Sequence, residues 1–541
     1  MTPIRLIRGF LTVGLWTLAS RVLGFARDIM IAATLGAGPV AEAFFVAFTL
    51  PNMFRRFFAE GAFNMAFVPL FAKRLEAGDG ARDFARDAFT GLGTVLIVFT
   101  VLAELAMPWL VFAMAAGFVG DERFDLAVAY GRIGFSYIIF ISLAALLAGV
   151  LNSTGRFAAA AAAPLALNVM IVGALILAER QGWPAGDVLI WTVPIAGIAQ
   201  LIVVWVAAAR AGFPLIPRRP RLTPELRQLA ILAAPAALAG GVVQVNLVVG
   251  RQVASFYDGA IAYLSLADRL YQLPLGVVGI AIGVVLLPEL SRRLTAGDTA
   301  GGAHAFNRAA EMALALTVPA AVAFVAVPEA LASGLYQRGE FVAADARATA
   351  AALAIYAVGL PSFVLQKVLQ PLYFAREDTK TPFRFALVSL VVNAAVAVGL
   401  APSIGFLSAA LATTVAGWVM AACLYAGTRR MGEAVHFDAR FRRRLPRILV
   451  AAALMGGVLL GVEWLIRDPV WSAGDLGLLV LVGLVSYFGL GFVIGAFRPS
   501  DFRAAVQRGN RSTASPATPA DAAARAAPET PHSHDRTEPR R

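Results

Sequence analysis

Cysteine is nearly absent from this sequence: Cys423 is the only one in 541 residues. An intrachain disulfide and a cysteine metal cluster are therefore excluded. Histidine is scarce too, with four in the chain, and His532 and His534 fall in a polar C-terminal stretch that reads as solvated tail rather than a metal site. No GxxxxGK[ST] phosphate loop occurs, and no nucleophile, base and orienting residue stand out as a set. Nucleotide hydrolysis and metal catalysis find no support, and no metal or cofactor is expected. Charge is thin as well, at 15% of residues against 59% hydrophobic. A soluble domain carries about 25% charged residues, so an ordinary soluble globular protein is excluded.

What the sequence does have is long apolar runs. About fourteen of them, between residues 4 and 497, reach the roughly 20 residues that a bilayer core of about 30 Å requires. All read as helices, because lipid leaves the backbone of an open strand unsatisfied. The first run continues past Ala19 into another span without a convincing cleavage site and reads as a retained segment. The net charge is +12, yet the basic residues gather in every second connection, among them Lys73/Arg74, Arg218/Arg219, Arg292/Arg293 and Arg440 to Arg447. That alternation is the positive-inside pattern of a multi-pass protein with both termini cytoplasmic. It needs no nucleic-acid partner. After Arg498 the sequence turns to Ala, Pro, Thr, Ser and Arg without large apolar residues, which predicts a disordered cytoplasmic tail over 498–541.

A repeat organises the helical region. "PLFAKRLEAGD" and "PELSRRLTAGD" share their Pro, Arg-Leu and Ala-Gly-Asp at identical spacing and stand 219 residues apart, Pro69 against Pro288. Each follows a long apolar run. An even number of spans per repeat puts both halves in the membrane the same way round. The expected fold is an all-α polytopic membrane protein with two pseudo-symmetric six-helix lobes, 1–217 and 218–430. Two further C-terminal helices, within 431–497, fall outside the repeat.

Ionisable groups at membrane depth cost on the order of 2.5–3.5 kcal/mol each, so they face protein or a water-filled cavity. The costly positions are Arg21, Arg27, Asp28, Glu42, Arg55, Arg56, Glu60, Glu104, Asp268, Arg269 and Lys367. On an ideal helix Arg21 and Asp28 share a face, whereas Arg27 lies about 120° away unless the helix bends near Gly24. Arginine presents a planar, permanently charged fork of donors that matches phosphate oxygens, so the pattern points to a phosphate-bearing substrate. Two alternatives stay open on the residues alone. Arg21, Arg55 and Arg56 could snorkel to a membrane face, and Asp268 with Arg269 could form a structural ion pair.

The stretches "SRVLGFARDIMIAATLGAG", "EAFFVAFTLPNMFRRFFAEGAFNMAFVPLFA" and "YLSLADRLYQLPLGVVGIAIGVVLLPELS" resemble the MurJ (MviN) family of bacterial lipid II flippases, in the MOP superfamily. The resemblance covers about residues 4–497. It implies two six-helix lobes around a central cavity, with two extra helices shaping a groove for a lipid tail. It implies movement of lipid II, the undecaprenyl-pyrophosphoryl-disaccharide-pentapeptide, from the cytoplasmic to the periplasmic leaflet of the bacterial inner membrane for peptidoglycan synthesis. Lipid II, membrane lipids and other cell-wall synthesis proteins are the implied partners. Arg21, Arg27, Arg55 and Arg269 match the family's cavity arginines. With Asp28 they form the expected pyrophosphate site, supported by Glu42, Arg56, Glu60, Asp268 and Lys367. Glu42 stands where the family commonly has Asp, Gln272 stands where an acid is often found, and the span 382–401 offers Asn393 but no acid. Competing expectations are a flippase for another undecaprenyl-pyrophosphate-linked sugar, and a MATE-like drug or cation antiporter, in which acids should dominate the cavity. A membrane scaffold for cell-wall enzymes is a third, and would tolerate loss of the helix charges.

Overall fold

The computed structural model describes residues 3–56, 62–429, 431, 436–466 and 471–497. Glu60 and the tail 498–541 lie outside the described residues. Among the described residues all regular structure is helical. The first half of the chain gives α1 (Pro3–Leu35), α2 (Pro39–Arg55), α3 (Ala62–Ala77), α4 (Ala81–Leu105) and α5 (Met107–Met114). A 3-10 turn (Ala116–Phe118) then leads to α6 (Glu122–Phe135), α7 (Tyr137–Ser153), α8 (Ala158–Gln181) and α9 (Ala185–Arg210). The second half repeats the order with α10 (Pro224–Ala254), α11 (Ala260–Thr295), α12 (Thr299–Ala326), α13 (Pro328–Tyr336), α14 (Ala343–Phe374), α15 (Lys380–Ile404) and α16 (Leu407–Gly427). Two last helices follow, α17 (Ala439–Ile466) and α18 (Ala473–Ile494).

Local sequence sets the helix starts. Thr223 caps α10 by accepting from the Leu226 N–H at 3.2 Å, with Pro224 at the first helical position. Ser472 and Asp475 form a reciprocal capping box on α18. Ten helical stretches among the described residues are long and apolar enough to cross a bilayer: α4, α6 with α7, α8, α9, α12 and α14 to α18. The protein is a multi-pass membrane protein. The four other expected spans, α1, α2 with α3, α10 and α11, are not in that set. Of these, α1, α2 with its C-cap Arg56, α10 and α11 carry the charged side chains that line the central cavity.

Within the first half α1 packs on α8, α2 on α6, and α7 and α8 on α9; within the second, α14 packs on α11, α12 and α16, and α16 on α15. Phe44, Phe67, Phe71 and Phe135 are fully buried in the first half's core. Trp109, Leu105 and Val493 are exposed on outer faces, as positions facing lipid tails require. The last helices join the second half through charge: Glu311 of α12 accepts from Arg308, Arg440 and Arg444, and Arg308 also pairs with Asp438.

The two halves meet at one end through a pair of equivalent clasps. The turn between α1 and α2 meets the segment before α14, where the Glu340 N–H donates to the Ala33 carbonyl at 2.8 Å. The turn between α10 and α11, its counterpart, meets the segment before α6. There the Ala116 N–H donates to Gln252 Oε1 at 3.0 Å and the Gly117 N–H to Ser255 Oγ at 2.9 Å. Both clasps need glycine. A Cβ on Gly117 would lie 2.5 Å from the Ser255 carbonyl and the Phe256 nitrogen, and one on Gly339, at φ +59°, would overlap the Ala33 carbonyl oxygen. Gly117→Val should therefore hold this end apart. Spin labels at the exposed positions Val119 and Phe256 should report a distance several ångströms longer than in the unsubstituted chain, and an unchanged distance distribution would count against the clasp.

Candidate functional site

Next to the clasps lies a cavity of about 360 Å³ between the halves, formed by α1, α2, α7, α8, α9, α10 and α11. Its charged lining is Arg27, Arg55, Arg56, Arg251 and Arg269, with Asp268 the single acid among the lining residues. Amides add polarity without charge: Asn52, Asn168, Gln200, Gln244 and Gln272.

At its wall two cations, one from each half, converge on one carboxylate. Arg27 folds back on its neighbour Asp28, donating from Nε at 3.0 Å and Nη2 at 2.7 Å to Oδ1. Its remaining arm donates from Nη1 to Asn168 Oδ1 at 3.0 Å, and Asn168 is itself fixed to α1 by donating to the Ser20 carbonyl at 3.0 Å. From the other half, Arg269 Nε lies 3.3 Å from Asp28 Oδ2. Arg27 and Asp28 are buried, at 8% and 7% exposure, whereas the Arg269 side chain remains 45% accessible from the cavity. Two cations thus share one anion at membrane depth, and the group keeps a net positive charge that favours an anionic ligand. Arg56 also bridges the halves, donating from Nη1 to Gln244 Oε1 at 3.3 Å.

The family model for the lipid II flippase MurJ matches residues 31–481. The chain is 44% identical to a probable lipid II flippase MurJ of Rhizobium tropici, over 95% of this chain and 98% of that one. Identity to the probable lipid II flippase MurJ of Rhizobium meliloti (strain 1021) is 46%, over 93% and 97%. The chain belongs to the MurJ family. In fold it is similar to a solved lipid II flippase MurJ in an inward closed conformation, with a TM-score of 0.74 at 24% identity, covering 89% of this chain and 98% of that one. It is also similar to an inward-facing MATE family multidrug transporter of the MOP superfamily, with a TM-score of 0.62 at 14% identity over 77% and 95%. A MurJ-family fold thus carries the cavity described above.

The expected site residues divide within this MurJ-family fold. The cavity brings together Arg27, Arg55, Arg56, Asp268 and Arg269, with Asp28 directly behind them. Arg21 lies elsewhere: its guanidinium covers Gly276 of α11, where a Cβ would overlap it. Lys367 is exposed on α14 and is not part of the cavity lining. Glu42, expected as a cavity charge, is instead 1% exposed beside the clasp. Its Oε2 pairs with Arg123 Nη1 at 3.0 Å, and its Oε1 accepts the Ile261 N–H at 3.0 Å, an orphan donor in the first turn of α11. Arg123 also pairs with Asp121 at 2.7 Å and Asp258 at 3.1 Å. Outside the membrane spans, the Arg123 backbone N–H and then its guanidinium hold the Asp121 carboxyl below its usual range.

Arg251 was absent from the expected set. By hydropathy the apolar run of α10 stops at Gly250, which leaves Arg251 in a connection, but the helix continues to Ala254 and carries the side chain to the cavity wall. Of the lining amides only Gln272 was marked by the sequence; Asn52, Asn168, Gln200 and Gln244 were not, because a lone amide in a helix does not show which way it turns.

Glu42→Ala would strand part of a buried network, at a cost of about 3–5 kcal/mol. Purified protein should show a markedly lower thermal midpoint, whereas Lys367→Ala, at an exposed position, should stay within about 0.5 kcal/mol. Equal stability of the two variants would contradict the structural role assigned to Glu42.

Proposed function

We propose that this chain flips lipid II from the cytoplasmic to the periplasmic leaflet of the bacterial inner membrane by alternating access. The observation that carries the reading is the Arg27–Asp28–Arg269 group, in a cavity with five arginines and one aspartate on its wall. Asp28 acts as an internal stand-in for the cargo anion. It holds one guanidinium from each half while the cavity is empty, and a pyrophosphate dianion takes its place when cargo binds. The fork geometry of arginine suits this exchange, since each guanidinium offers paired N–H donors to phosphate oxygens.

Two lobes, 1–217 and 218–430, would rock about this site. The helix ends opposite the clasps carry Arg74 of α3 and Arg292/Arg293 of α11. By the positive-inside rule that end is cytoplasmic, the clasped end periplasmic, and both termini cytoplasmic. Cargo would then enter from the cytoplasm while the clasps are shut. The lipid tail would lie against α12, α17 and α18, where a cavity of about 280 Å³ is lined by Leu316, Ala323, Leu331, Met455, Leu459 and Leu484. A MATE-like cation antiporter fits this charge balance poorly, since a cationic substrate would meet repulsion. A carrier of another undecaprenyl-pyrophosphate-linked sugar shares the same anion logic and stands as the second reading.

The test replaces Arg27 and Arg269 singly in a strain depleted of its own flippase, at matched membrane abundance. Ala variants should lose complementation and retain lipid II on the cytoplasmic side, because a desolvated dianion would be left uncompensated. Lys variants should be impaired, since the charge stays but the fork is lost. Full growth of both Ala variants would remove the clamp, and retention of a different lipid-linked sugar would favour the second reading.

A further inference from the structure

Arg251 is the one cavity arginine that neither the family resemblance nor the clamp uses. It stands three residues before the end of α10, half-buried, with its side chain on the cavity wall. Its contact is weak: Nη1 donates to the Phe45 carbonyl of α2 at 3.5 Å, an oxygen that already accepts Thr49 Oγ1 at 2.6 Å. Among the described residues it makes no ion pair. Arg27 and Arg269, by contrast, share Asp28. A guanidinium carries five N–H donors, and Arg251 is attracted by Asp268 on the same wall without being bonded to it, so most of its donors are open to an anion that the ligand brings.

The pyrophosphate does not need it. Arg27, Arg55, Arg56 and Arg269 carry four positive charges and Asp28 and Asp268 two negative ones, so the excess of two matches the dianion without Arg251. Its position also separates it from the clamp. The next residue, Gln252, and nearby Ser255 hold the clasp to Ala116 and Gly117, so Arg251 lies at the closed end of the cavity. Arg27 and Arg269 stand eight and nine residues from the corresponding helix ends, Leu35 and Ala260. At about 1.5 Å per residue their backbones are roughly 8 Å further from the clasps than that of Arg251. The lipid tail must stay in the bilayer and the pyrophosphate is bonded to it, so the part of the cargo that reaches the closed end is the part furthest from the tail. In lipid II that part is the sugar with its peptide stem, and the stem carries free carboxylates. Asn52, Gln200 and Gln244 line the same cavity and offer the donors and acceptors that amides and hydroxyls pair with.

We infer that Arg251 is a specificity-determining residue that pairs with a carboxylate of the cargo's peptide stem and not with its pyrophosphate. The inference rests on the lipid II reading above. Its test compares two ligands on the purified full-length chain in lipid nanodiscs: lipid II, and undecaprenyl pyrophosphate, which lacks sugar and peptide. Arg251→Gln should weaken lipid II binding about ten- to a hundredfold, the worth of one hydrogen-bonded charge pair. It should leave undecaprenyl pyrophosphate binding within about twofold, which also shows that the variant is folded. Arg251→Lys should recover part of the lipid II affinity, because charge returns without the fork. An equal loss on both ligands would make Arg251 a pyrophosphate contact, and no loss on lipid II would leave it a structural link to α2; either overturns the inference alone. Failure of the unsubstituted chain to bind either lipid would overturn the lipid II reading and the inference with it.

Discussion

A guanidinium at membrane depth must have a counter-charge, and in this protein the counter-charge for two of them is one carboxylate shared across the gap between the halves. Arg27 and Arg269 come from helices that the repeat places on opposite sides of the cavity, and Asp28 pairs with both. Much of the remaining architecture serves that meeting. Asn168 of α8 fixes the third arm of Arg27 and ties itself to the Ser20 carbonyl, so that the arginine is aimed by a neighbouring helix. The clasps bring α1 and α11 close enough for the pair to form.

The closing contacts are of two kinds. The clasps are mostly neutral hydrogen bonds between backbone, amide and hydroxyl groups, each worth about 0.5–1.5 kcal/mol net, and such contacts can be exchanged for water when the end opens. The Glu42–Arg123 network is buried and charged, and it joins α2, α6 and the start of α11. Opening the end would have to release the Ile261 N–H from Glu42 and the exposed Asp258 from Arg123, while leaving the buried Glu42–Arg123 pair within the first half. A gate assembled this way is closed by many small terms and keeps its buried ion pair on one side.

Much of the fold was legible because the bilayer imposes a strong rule: a span needs about 20 apolar residues, and ten helical stretches obey it plainly. Arg27, Arg55, Arg56, Asp268 and Arg269 were legible by the same rule in reverse, since each is a charge where a charge is costly, and the structure gathers them on one cavity. The rule marks cost and does not mark location. It therefore grouped Glu42 with the cavity charges, although a buried ion pair meets the cost equally well, and it could not place Arg21 against Gly276. Arg251 escaped because one residue decided whether it belonged to a helix or a connection. Gln200, Gln244 and Asn168 escaped because position along a helix does not reveal which neutral side chains turn inward until the partner helices are known.

The central claim is that Asp28 competes with the cargo anion for Arg27 and Arg269. The most direct measurement is the affinity of purified Asp28→Asn protein for undecaprenyl pyrophosphate, beside that of the unsubstituted chain. Removing the internal competitor should make binding tighter. Weaker binding by a folded Asp28→Asn protein would contradict the account, because the carboxylate would then be part of the anion site's support and not its placeholder.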